Sequence, residues 1–172
     1  MRVEIRECFE GAQLRDVERL YMLDDEFNRT TFEQMGYGRR ILENVRDGDR
    51  LDRCLRLCPR TSLPAPFASL IPDGAFQITE RVQYDLAQHR GTWRTTPSVL
   101  AKQFDAHGTL WLEQRERSVL FHLEGEAKAS IPLLGRRAER QAVATAETQH
   151  AALARAIRAR LDASHATLVH PT

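Results

Sequence analysis

Hydrophobic positions along this chain follow two periods. Most of the sequence alternates apolar and polar residues, as half-buried strands do, while two stretches repeat every three to four residues, as amphipathic helices do. Over Val3–Glu10, Val3, Ile5 and Phe9 share one face against Glu4, Arg6 and Glu10, with Glu7 falling on the apolar side. Gly11 breaks that strand. Ala12–Met35 then carries helical spacing in two pieces: Leu14, Val17, Leu20 and Tyr21, then Phe27, Thr31, Phe32 and Met35. Asp24 and Asp25 lie between the pieces, placed to cap the second helix, and Gly36 and Gly38 close the pair.

Strands follow. Ile41–Arg46 leads into Asp47-Gly48-Asp49, a hairpin turn in which glycine supplies the positive φ. Leu51, Leu55 and Leu57 alternate with Asp52, Cys54 and Arg56, and Arg53 is a charge on the apolar side. Phe76–Leu86 places Phe76, Ile78, Val82, Tyr84 and Leu86 on one face, which Glu80 interrupts at its midpoint. After a turn at Gln88-His89, Arg90–Thr96 presents Trp93, and Lys102–Gln114 presents Phe104, Ala106, Leu110 and Leu112. Gly108 permits a bulge or bend there. Ser118–Ile131 collects Val119, Phe121, Leu123, Ala127, Ala129 and Ile131 on a single face. The stretch Pro59–Pro72 differs, with prolines set around Leu63, Phe67, Leu70 and Ile71. An apolar loop of this kind packs under a sheet or covers an opening as a lid.

The last element runs from Leu133 to about Ala163, and after Gly135 it meets no Gly or Pro until Pro171. Its Ala, Arg, Glu, Gln and Leu are good helix formers. At about 100° per residue, one face collects Leu134, Ala138, Ala142, Ala146, Gln149, His150, Leu153, Ile157 and Leu161. The opposite face carries Arg136, Arg137, Arg140, Glu147, Arg155 and Arg158. A sheet-facing surface made of alanine, glutamine and histidine at its middle leaves room for something else, and so predicts a cavity.

The order is strand, two helices, six strands, long helix. Short turns make successive strands antiparallel, and a sheet with one apolar face packs on one side only. The expectation is a single α+β two-layer domain over residues 1–163, with 164–172 a disordered tail. Composition changes this little. A hydrophobic content of 42%, a charged content of 28% and a net charge of +1 are those of a globular protein, and argue against a dedicated nucleic-acid binder. The start, MRVEIRECFEG, shows no apolar run of signal-peptide length and no later segment has membrane-spanning length, and the three cysteines read as reduced thiols of a cytoplasmic protein. Cys54 and Cys58 lie four apart on one strand, roughly 13 Å at about 3.3 Å per residue, too far for a disulfide.

The element order resembles the START-like superfamily, also called SRPBCC or the helix-grip fold, across residues 2–163. That group includes START lipid-transfer domains, aromatic polyketide cyclases and the birch-pollen-allergen type of plant protein. Three stretches resemble an uncharacterised bacterial branch of it. They are the strand pair around RGTWRTTP and HGTLWLE, the junction EGEAKASIPLLGRRAE, and the first strand with its helix pair. The resemblance implies a curved seven-stranded antiparallel sheet wrapped around the long helix, with a cavity between them. It brings no catalytic motif, because these proteins share shape rather than active-site residues.

Candidate chemistry therefore rests on polar residues placed among apolar ones. Glu80 is either a polar anchor or acid–base group in an apolar pocket, or a rim residue reaching solvent or paired with Arg53. Gln149 and His150 either contact a ligand or hydrogen-bond a strand or water. Glu7 is either a buried group or the site of a bend. The expected cavity lining draws Phe32, Phe76, Ile78, Glu80, Tyr84 and Trp93 from the first part of the chain. Leu110, Phe121, Ala146, Gln149, His150 and Leu153 complete it. No histidine pair or carboxylate cluster has metal-ligand spacing, no nucleophile motif is present, and no cofactor is expected. The expected function is binding of a hydrophobic small molecule (a lipid, acyl chain or polyketide-like ligand) in that cavity. The alternatives are a polyketide cyclase or dehydratase using Glu80, Tyr84 or His150, and a protein-interaction subunit with a filled core. The arginine face of the last helix is either a solvated surface or a place for peripheral contact with anionic lipid.

Overall fold

The computed structural model describes residues 1–60 and 76–169, the side chains of 165–169 excepted. Strand β1 (Arg2–Glu10) is followed by helix α1 (Leu14–Glu18), which continues as a π-helical turn over Arg19–Leu23, and by α2 (Asp25–Gln34). Then come β2 (Tyr37–Asp47), β3 (Arg50–Pro59), β4 (Ile78–Asp85), β5 (Arg90–Pro97), β6 (Phe104–Gln114) and β7 (Ser118–Ala129). Helix α3 (Gly135–Val169) ends the chain. The strands form one seven-stranded antiparallel sheet in the order β1-β7-β6-β5-β4-β3-β2. The sheet curves around α3, giving the helix-grip α+β architecture expected from the sequence. The Pro59–Pro72 loop, beyond Arg60, lies outside the described residues.

Local chemistry explains the element ends. Asp24 caps α2 by accepting from the Phe27 backbone N–H at 3.0 Å, as its position between the two helical pieces predicts. Asn28 stitches α2 to the π-helical turn, its Nδ2 donating to the carbonyls of Leu20 at 2.7 Å and Asp24 at 2.8 Å. Gly36 closes α2 at a φ of 84°, and Gly48 turns the β2–β3 hairpin at 58°. Pro132 does not open the last helix directly. A turn intervenes, with the N–H groups of Leu134 and Gly135 both bonded to the Ile131 carbonyl.

One expectation about strand irregularity changes. The register between β6 and its neighbours runs through Gly108 without a shift, so this glycine is not a bulge. Gly108 and Gly125 sit opposite each other where backbones approach so closely that a Cβ on either would meet the neighbouring strand. The bulge in the sheet lies instead in β2, between Ile41 and Glu43, on an edge strand where it blunts pairing with other chains.

The core is centred on β1, β6, β7, the π-helical turn and the second half of α3. Phe9, Val17, Leu20, Val119, Phe121 and Ile157 are fully buried there. Tyr21 stacks on Phe121 with ring centroids 4.4 Å apart, and Phe9 meets Tyr21 edge-on at 6.0 Å. Arg158 does not belong to the outer, solvated face of α3. Its guanidinium donates to Glu7 Oε2 at 2.7 Å and to the Cys8 carbonyl, and stands over the Phe9 ring. Glu7 is thus a partner for the helix, which accounts for a carboxylate on the apolar side of β1.

Candidate functional site

Small residues on both walls leave space between the sheet and α3. Leu153, Ala154 and Ile157 of α3 are buried against the sheet, whereas Ala138, Ala142 and Ala146 remain only half-buried. The alanines line a cavity of about 360 Å³ between helix and sheet. The opposite wall includes small residues too. Leu55, Glu80, Thr95, Ala106 and Ala127 are register neighbours across β3 to β7, and all line the cavity. The row beside it holds Arg53, Val82, Trp93, Gly108 and Gly125. The missing side chain at Gly125 lets the Trp93 ring lie against the sheet: a Cβ there would stand 2.7 Å from Trp93 Cζ2.

Most residues expected from the sequence come together on this surface. Phe76, Ile78 and Glu80 contribute from β4 and the residues before it, Trp93 from β5, Leu110 from β6 and Phe121 from β7. Phe32 of α2 closes one side, and Ala146, Gln149, His150 and Leu153 of α3 close another. Tyr84 stands off this wall. Its hydroxyl donates to Glu18 Oε1 at 2.8 Å, and the same oxygen lies 2.8 Å from His89 Nδ1. Burial and the Glu18 charge both push the Tyr84 hydroxyl pKa up, so it stays a protonated donor.

Several residues of the lining carry buried polar atoms that lack partners. Among the described residues, Tyr21 Oη, Arg53 Nε, Trp93 Nε1, Gln149 Nε2 and His150 Nδ1 are buried without a hydrogen bond. All five residues line the cavity. Buried polar atoms are normally satisfied, so their concentration on residues around an open volume makes this the candidate site. Burial drives the pKa of His150 down to about 4, leaving a neutral imidazole stacked on Phe121 at 5.4 Å. Burial pushes Glu80 the other way, raising its carboxyl against the opposing pull of Arg53 and Arg39. Whatever surface Glu80 keeps faces the cavity.

The sequence marks Arg53 only as an exception to its strand's alternation, and gives no reason to notice Arg39. Both line the cavity. Arg53 carries a signal, a charge at an apolar position. Arg39 carries none, because β2 shows no clean alternation around it. Val99 and Leu100, from the β5–β6 connection, also reach the wall, with Leu100 at a φ of 59°. No helix is long and apolar enough to cross a membrane among the described residues.

No curated protein matches the chain in sequence. Among solved structures, TTHA0849 from Thermus thermophilus is similar at a TM-score of 0.62 and 14% identity, over 95% of this chain and 99% of that one. Protein CV1439 from Chromobacterium violaceum gives 0.58 at 14% identity, over 91% and 96%. A START superfamily protein from Mycobacterium smegmatis gives 0.54 at 16% identity, over 94% and 97%. At such identities the likeness is one of fold, and the fold is START-like. The sequence model of the family described as "Protein of unknown function (DUF2505)" matches residues 15–161, and the chain belongs to that family.

Proposed function

We propose that this protein binds a hydrophobic small molecule, such as a lipid, an acyl chain or a polyketide-like ring system, between the sheet and α3, in the cytoplasm. The START-like fold commonly encloses hydrophobic ligands. The observation that carries the reading is the cavity of about 360 Å³, walled by apolar side chains and small residues from both layers. Its size falls within the range of about 300–1,000 Å³ usual for small-molecule pockets. Burying about 200 Å² of apolar ligand surface there contributes about 5 kcal/mol before the costs of association. The three cysteines are unpaired, which suits a reducing compartment.

Native mass spectrometry of protein purified from its host, with titration of the neutral fluorophore N-phenyl-1-naphthylamine, tests the reading. A co-purifying mass, or saturable fluorescence displaced by acyl compounds, supports it. A bare chain mass together with no probe binding overturns it.

One observation favours a second reading, catalysis of the cyclase or dehydratase type. Glu80 is driven toward its protonated form and His150 toward its free base, so the cavity holds an acid and a base together. Tyr84 takes no part, being engaged with Glu18. Turnover of a polyketone that survives Glu80→Gln and His150→Phe would remove this reading.

A further inference from the structure

One end of the cavity is cationic. Arg39 and Arg53 both line it, and their side chains are 3% and 6% exposed. Burying two guanidinium groups is costly unless acceptors replace the lost water. Few do. Arg53 Nη1 donates to the Met22 carbonyl at 2.7 Å, and Arg39 Nη2 donates to Asp25 Oδ1 at 3.2 Å. Asp25 Oδ1 lies 4.0 Å from Arg53 Nη1, and Asp25 also accepts from Asn44 Nδ2 at 3.3 Å. Each guanidinium has five donors in a fixed fork. The Nε of Arg53 is buried with no partner among the described residues.

The carboxylates do not balance this end. Asp25 alone lies within ion-pair distance of both arginines among the described residues, and it is 34% exposed. Glu80 faces the same end but makes no ion pair within 4.0 Å among the described residues, and its burial favours the uncharged carboxyl. Two cations against one carboxylate leave room for a single negative charge. Other unpartnered atoms of lining residues include the donors Trp93 Nε1–H and Gln149 Nε2, beside Tyr21 Oη and His150 Nδ1, which can donate or accept. Trp93 lies in the sheet row of Arg53, separated from it only by Val82. A wall that offers donors calls for a ligand that brings acceptors, and a carboxylate is acceptor-only.

We infer that the ligand is an amphiphile bearing one carboxylate, its head held by Arg39 and Arg53 and its apolar body lying along the alanine-lined part of the cavity. This rests on the binding function proposed above and specifies its chemical class. A doubly charged phosphate monoester would exceed the available positive charge, and a neutral head would bring acceptors but no charge to offset the second guanidinium.

The test compares dodecanoate with dodecan-1-ol, dodecylamine and dodecyl phosphate as competitors of N-phenyl-1-naphthylamine, on the full chain at neutral pH and below micellar concentrations. The carboxylate is expected to compete at least tenfold more strongly than the alcohol and more strongly than the phosphate, with the amine weakest. In Arg53→Met and Arg39→Met, which keep an unbranched apolar side chain, the ratio of acid to alcohol affinity is expected to fall toward one. Equal competition by acid and alcohol in the wild-type protein overturns the inference without any variant, and leaves the binding function standing. Stronger competition by the phosphate overturns it likewise. Failure of the fluorophore and of every competitor to bind a chain of bare mass overturns the binding function as well. A preference for the acid that persists in both variants, with their folding verified by circular dichroism, also overturns the assignment of the head to these arginines.

Discussion

The guanidinium of Arg158 donates to the Glu7 carboxylate at 2.7 Å, joining the last helix to the first strand across 151 positions of sequence. The same group bonds the Cys8 carbonyl and covers the Phe9 ring at 5.1 Å, so one side chain fixes the buried half of α3 on the sheet. The alanine half is left to the cavity. Replacing Arg158 with Met is expected to lower stability by about 1–2 kcal/mol, the scale of charge-assisted hydrogen bonds at a half-exposed site. Urea denaturation measures it. A double-mutant cycle with Glu7→Gln is expected to show a coupling of at least about 0.5 kcal/mol.

Filling the cavity separates its two possible roles. If the space between Ala142, Ala146 and the sheet serves a ligand, leucine at both positions should occupy it and weaken fluorophore binding at least tenfold. Stability is then expected to change by less than about 1.5 kcal/mol, because added methylenes enter open volume rather than packed core. Thermal melting and fluorescence titration read the two effects separately. Unchanged probe binding in a folded double variant would mean the probe binds elsewhere.

Tyr84 and Glu80 share one strand face but should behave differently. Tyr84→Phe removes the hydrogen bond to Glu18, a carboxylate that is buried and also contacts His89. A stability loss of about 1–3 kcal/mol is expected, since an acceptor is left short of a partner. Fluorophore affinity should stay within about twofold, because the Tyr84 side chain stands off the cavity wall. Chemical denaturation and titration of the same variant check both statements.

His150 should make stability depend on pH. Burial lowers its pKa from 6.5 to about 4 on folding. Between those values the unfolded chain binds more protons than the folded one, so its contribution is fully present above about pH 6.5 and is lost as pH falls toward 4. Glu80 works in the opposite sense. Its carboxyl is raised on folding, so its contribution is present below the ordinary carboxylate value of 4.5 and is lost as pH rises through the folded value. Comparison of wild type with His150→Phe isolates the histidine. The wild type is expected to lose stability relative to the variant on going from pH 7 to pH 4.5, by at most about 1.4 kcal/mol per pH unit. Urea midpoints at several pH values read this difference, and parallel curves would contradict it.

Much of the fold was legible because each strand and helix advertises its own period. Leu51, Leu55 and Leu57 point inward as alternation requires, and Asp24 caps α2 where two helical pieces meet. The cavity was legible from one side only. Ala138, Ala142 and Ala146 stand out as a small-residue face on a helix, whereas Ala106 and Ala127 pass unnoticed among the apolar residues of their strands. Only register places them opposite the helix alanines and beside Glu80 and Thr95.

By itself the sequence determined the order of elements, the inward face of each except β2, and the polar residues that intrude on those faces: Glu7, Arg53, Glu80, Gln149 and His150. Local periodicity suffices for these, because it depends on backbone geometry within one element. Tertiary structure alone decided which intruders meet. Glu7 found Arg158 from the supposedly outer face of α3, Tyr84 turned to Glu18, and Arg39 joined Arg53 at one end of an open cavity. Those outcomes depend on distances between residues far apart in the chain, set by sheet register and helix docking, and on the need of each buried charge for a partner. Arg53, Gln149 and His150 line the cavity with buried atoms that lack partners, and that shortage is what makes it a candidate site.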